Sequence, residues 1–190
     1  MTGSPGADTA ARTAEDVLAF WFGPEARDRW FAKDEAFDAL LERRLGALAT
    51  AAAEGRLDAW TGTPRGTLAL VILLDQVPRN LHRGDREAFA QDERARRVAA
   101  RAVDSREDAG LAPVERHFLY LPLEHSEELA DQERAVELIG ALGDAEWLDY
   151  ALRHRAVIAR FGRFPHRNAA LGRASTPEEE AFLAGPGSPY

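Results

Sequence analysis

Apolar residues recur at helical spacing along nearly the whole chain, and no stretch alternates for long enough to form a strand, so the pattern predicts an all-α protein. The first helix runs from about Ala14 to Phe22, opened by Thr13 with Asp16 three residues on and closed by Gly23-Pro24. A second, from about Asp34 to Glu54, places Phe37, Leu40, Leu41, Leu45 and Leu48 on one stripe and stops at Gly55. Thr63-Pro64 opens a third, "PRGTLALVILLDQ", which is apolar almost all round and is therefore expected at the centre, with Pro78 as its end. The fourth spans about Arg86 to Val103 and turns Phe89, Val98, Ala99, Ala102 and Val103 inward. Pro113 opens a fifth that Pro122 should break, and Ser126 is the expected cap of a sixth ending at Leu142-Gly143. Asp144 caps a seventh with Trp147, Leu148, Ala151, Leu152, Val157, Ile158 and Phe161 inward. A short last helix starts at a Thr176/Glu179 capping box with Pro177 at its first position.

Helices of this length with short punctuated loops predict about seven to eight helices in antiparallel hairpins, as a compact bundle or a short superhelix. No repeat at a solenoid period is present. Residues 1–12 read as a disordered tail and 185–190 as a frayed one, which leaves a single helical domain over 13–184. The "FWF" end of the first helix fits core, a helix-pairing surface or a partner site.

Composition narrows the partners. A chain of 190 residues, 45% hydrophobic, is sized for one core, and its net charge of −8 with arginines interspersed among acids argues against nucleic acid. The longest apolar run, Leu68 to Leu74, is too short to cross a bilayer, and the opening residues do not form a signal peptide, so a cytoplasmic location is the default. Absence of cysteine removes disulfides, thiolate metal sites and a cysteine nucleophile. Lys33 is the one lysine and lies in an ordinary helix entrance, which argues against a Schiff base.

Three segments concentrate polar residues at the exits of apolar helices. In "RFGRFPHRN", Arg160, Arg163 and Arg167 would share one side of a continuing helical turn, close to His166 and Asn168, and their planar guanidinium groups suit carboxylates or phosphates. The alternative is that these arginines pair with carboxylates of neighbouring helices. "DQVPRN" places Asp75 at the end of the most apolar helix, where it should pair with an arginine such as Arg79, as a base, an orienting group or a structural bridge; Asn80 follows. "ERHFLYLPLEHSEEL" gathers Glu115, Arg116, His117, Tyr120, Glu124, His125, Glu127 and Glu128 around a proline; a helix N-terminus beside His125 would disfavour its protonation, and a capping or surface role is the alternative. No HExxH, di-iron or EF-hand spacing occurs, and a site from the distant His125, His154 and His166 has no spacing to support it, so no metal is expected. P-loop, dinucleotide and GxSxG patterns are missing too, so no tightly bound cofactor is expected.

Together, "FWF", "LLDQVPRN" with "RGDREAFAQD", "ERHFLYLPLEHSE", and "RFGRFPHRN" followed by "LGRASTPEEEAFL" resemble the bacterial family called domain of unknown function 924, from about Val17 to Leu183. The resemblance implies an all-helical, tetratricopeptide-like fold and no established activity. The positions it marks are Asp75 to Asn80 apart from Val77, then Arg83, Gly84, Phe89, Asp92, Glu115, Arg116, Tyr120, Pro122, His125 and Ser126, and Arg160 to Asn168 apart from Phe161 and Phe164.

These observations lead to an expected site for a small anionic ligand, a carboxylate or phosphate. Arg79, Arg160, Arg163 and Arg167 would hold it, Asn80 or Asn168 would donate hydrogen bonds, His125 or His166 would transfer a proton, and Asp75 would orient the base. A tetratricopeptide-like module gripping an acidic peptide or protein partner, and a purely architectural network, are the alternatives.

Overall fold

The computed structural model describes residues 12–185, so the expected tails fall largely outside the described residues. Helix α1 (Ala14–Trp21) opens with the predicted box: Thr13 Oγ1 accepts from the Asp16 amide at 3.1 Å, and Asp16 Oδ2 accepts from the Thr13 amide at 3.0 Å. Its "FWF" end is core. Trp21 is fully buried with its ring edge-on to Phe118 at 5.6 Å, and Phe22 meets the same ring. Helix α2 (Glu35–Ala53), capped by Asp34, buries Phe37, Leu41 and Leu45.

Helix α3 (Pro64–Val71) passes into a π-helical turn, Ile72–Gln76, and continues as α4 (Val77–Leu81). Every residue from Gly66 to Pro78 is buried, as expected of a central helix. Pro78 does not end the helix. The turn widens the spiral, with the Val77 amide donating five residues back to the Ile72 carbonyl, so the backbone passes the proline ring without stopping. At its other end α3 can approach the preceding turn because residue 66 is glycine: a Cβ there would press into the Trp60 carbonyl oxygen.

The fourth predicted helix is a 3₁₀ turn (Arg86–Phe89) followed by α5 (Asp92–Asp104), which turns Ala95, Ala99 and Ala102 inward. Pro122 does not break α6 (Pro113–Glu124), which ends two residues later. Ser126 lies ahead of α7 (Leu129–Gly140), accepting from the Glu128 amide at 3.1 Å and donating to Asp131 at 2.7 Å, while Glu128 occupies the cap position. Helix α8 (Ala145–Phe161) is capped by Asp144 as expected, but Leu152 faces solvent. Gly162, left-handed at φ 68°, stops α8, so Arg160, Arg163 and Arg167 do not share a helical face. A 3₁₀ turn (Pro165–Arg167) leads to α9 (Pro177–Ala184) with its Thr176/Glu179 box.

The described residues are thus all-helical: α3 and α4 run through the middle with α1, α2, α5 and α6 packed around them, while α7 and α8 stack outward from α6. A small second core of Val157, Ile158 and Phe164 anchors the C-terminal segment. The site lies at the seam between the two cores.

Candidate functional site

Asp75, carried by the π turn, is fully buried. Burial opposes its ionisation, but Arg79 one turn on, His125 and a hydrogen bond from Gln76 outweigh that and hold its carboxyl well below the usual carboxylate range. Its Oδ1 and Oδ2 lie 2.8 and 3.0 Å from His125 Nδ1. With Asp75 ionised, Nδ1 carries the hydrogen and donates, which leaves Nε2 as the acceptor nitrogen.

His125 is the C-cap of α6, three residues ahead of the Glu128 cap of α7. Burial depresses its pKa, and the Arg79 and Arg167 charges reinforce that against the pull of Asp75. The turn holding it is fixed by Gln132 of α7, whose Nε2 donates to the carbonyls of Glu124 at 2.5 Å and Ser126 at 2.6 Å.

Asp92, in the first turn of α5, joins the two arginines. Arg79 grips it through both terminal nitrogens at 2.8 and 2.9 Å, and Arg167 donates to Asp92 Oδ2 at 3.1 Å. The Arg167 guanidinium also lies over Phe164 at 4.4 Å and Phe89 at 4.8 Å. Asp75, Arg79, Asp92 and Arg167 therefore cancel as charges. Beside them opens a cleft of about 390 Å³ whose walls include Phe89, Asp92, His125, Ser126 and Arg167, with Glu93 and Glu128 at its rim.

Behind His125 lie two groups that the sequence reading did not assign. Glu124, 3% exposed, has Oε1 3.2 Å from His154 Nδ1, and the His154 ring is 6.3 Å from that of His125. Burial, and then the Asp75 charge, push the Glu124 carboxyl up to about 8. Burial, with the Arg167 and Arg79 charges nearby, depresses His154 to about 4. A signal for His154 did exist: it falls three residues after Ala151 and four before Ile158, a polar residue in an apolar stripe. Glu124 closes the run from His117 to Glu124, all of it buried.

The remaining expected residues lie elsewhere. Arg160 pairs with exposed Glu178 at 2.7 Å, and Arg163 grips buried Glu179 at 2.6 and 2.8 Å, so both tie α9 to the end of α8. Asn168 donates to Ser175 and Glu179 and accepts from Arg173 in the same tie. Asn80 donates to the Gln76 carbonyl and accepts from Arg83, away from the cleft. Half-buried His166 lies against Phe164 at 5.6 Å, and burial next to Arg167 depresses it to about 3. Among the described residues no group of three or more histidine, cysteine or acidic side chains is arranged to hold a metal, and no helix is long and apolar enough to cross a membrane.

The architecture defines a class: an all-α protein with a buried carboxylate–histidine cluster at helix ends beside a small cleft. The chain belongs to the family described as bacterial protein of unknown function (DUF924), which it matches over residues 17–187. The solved structure of a protein of unknown function from Agrobacterium tumefaciens is similar, with 42% identity, a TM-score of 0.84, and coverage of 90% of this chain and 96% of that one. No curated protein matches significantly.

Proposed function

We propose that the cleft binds a small molecule bearing a carboxylate or phosphate and that His125 serves there as a general base oriented by Asp75. The observation that carries this reading is the buried Asp75–His125 contact at 2.8 Å, with His125 forming part of the cleft wall. A neutral imidazole that spends its Nδ1 hydrogen on an ionised carboxylate keeps Nε2 available as a proton acceptor. Arg167 is the anion anchor. Because the four central charges cancel, an entering anion exchanges with Asp92 for that guanidinium, which predicts weak, salt-sensitive binding.

An acidic-peptide clamp has less support. Arg160 and Arg163 are engaged by Glu178 and Glu179.

The test is a thermal-shift screen of small carboxylates and phosphates on the wild type, His125→Gln and Arg167→Lys. A compound that raises the wild-type midpoint and acts less on Arg167→Lys supports the reading. Equal shifts in all three proteins, or none in the wild type, would sink it.

A further inference from the structure

The cluster contains one buried group for which the proposed base has no use. Among the described residues Glu124 has no arginine or lysine partner; its Oε1 contacts His154 Nδ1 at 3.2 Å, and its buried Oε2 has no hydrogen-bond partner there. His154 Nδ1 also lies 2.9 Å from the Tyr150 carbonyl oxygen, so that nitrogen carries a hydrogen and donates toward both oxygens.

Two protonation patterns place the same number of protons on this pair: a neutral acid beside a neutral imidazole, or a carboxylate beside an imidazolium. The surroundings choose between them. From the π turn, Asp75 faces Glu124 and opposes a second carboxylate. From α4 and the 165–167 turn, the Arg79 and Arg167 charges face His154 and oppose an imidazolium, with the neutral His125 ring at 6.3 Å and His166 close by. From α5, Asp92 is spent on the arginines, and α7 contributes the uncharged Gln132.

We propose that Glu124 and His154 form a neutral, proton-holding pair behind the Asp75–His125 dyad, in which Glu124 is a carboxylic acid at neutral pH with its hydrogen on Oε2. Glu124 is thus a positioning residue that sets the charge His125 experiences. Two carboxyl groups in one cluster are held in opposite states, one ionised to orient the base and one protonated, the pattern that separates acid from base roles. Loss of the Glu124 proton adds a second negative charge to the cluster and weakens the preference of His125 for its neutral form. This inference deepens the proposed base role of His125, but its test needs no ligand.

That test follows the side-chain carboxyl carbon of Glu124 by NMR across a pH titration of the full chain, with histidine ring nitrogens observed in parallel. The expected result is a carboxyl that titrates near 8 while the signals of His125 and His154 shift in the same step. Glu124→Gln, which mimics the neutral acid in shape, should remove that step from both histidines. A Glu124 carboxyl that titrates near its ordinary 4.5 overturns the proposal from the wild type alone, even if the variant does not fold. A histidine step near 8 that persists in a folded Glu124→Gln protein overturns the coupling. Failure of every small-molecule screen would end the ligand reading and leave this result untouched.

Discussion

Arg79 and His125 meet at one fully buried carboxylate, that of Asp75, so residue 75 carries both electrostatics and orientation. Removing one member of a buried charged set leaves its partner uncompensated, at a typical cost of about 3–5 kcal/mol. Asp75→Ala should therefore destabilise the fold by about that much in denaturant unfolding, while Asp75→Asn, which keeps a hydrogen-bonding side chain, should cost less. Equal, small losses in both variants would mean that the carboxylate is not charged in the native state. The C-terminal arginines differ in kind: Arg160 is an exposed pair that contributes little to stability, and Arg163 acts on α9, so replacing either should leave a cleft ligand's shift unchanged.

At the scale of elements, most helices were legible because their signals are local: capping boxes at Thr13 and Thr176, and the Thr63 and Asp144 caps. The prolines misled. Pro78 and Pro122 read as helix ends, yet one follows a π turn and the other stands in the last turn of a buried helix. A change from four-residue to five-residue hydrogen bonding leaves no trace in a segment whose every side chain is buried, because no apolar stripe exists to shift phase. The site was legible in part for the same reason. Asp75, Arg79 and His125 stood out as polar residues ending apolar runs, whereas Asp92 as the link between two arginines, and Glu124 with His154, depend on how helices distant in sequence meet. One element-scale prediction concerns the entry to the central helix. Gly66→Ala would force a methyl group against the Trp60 backbone and should lower the melting temperature clearly, whereas Gly140→Ala, where the added carbon would meet only the Leu148 side chain at 3.5 Å, should not. Equal melting temperatures would contradict that packing.

For the whole molecule, burial of ionisable groups fixes how stability depends on pH. His117, His154 and His166 are depressed to about 4, 4 and 3 from 6.5, so the unfolded chain binds more protons below 6.5 and stability falls as pH falls from there. Glu124 is raised from 4.5 to about 8, so the folded chain binds more protons in that window and this contribution is lost as pH rises through it. Three histidines outweigh one carboxyl on the acid side. Above 6.5 Glu124 acts against them no longer but alone, at about 1.4 kcal/mol per pH unit, which makes a decline of about 2 kcal/mol by pH 8. Urea unfolding from pH 4 to 9 should therefore show a maximum near pH 6.5, and a flat profile above it would contradict the buried acid. That maximum coincides with the state on which the account turns: Asp75 ionised and His125 neutral. The most direct measurement is the ¹⁵N NMR spectrum of the His125 ring at neutral pH. Hydrogen on Nδ1 and a bare Nε2, with that preference lost in Asp75→Asn, is the expected result; an imidazolium, or a ring with its hydrogen on Nε2, would contradict an Asp75-oriented base.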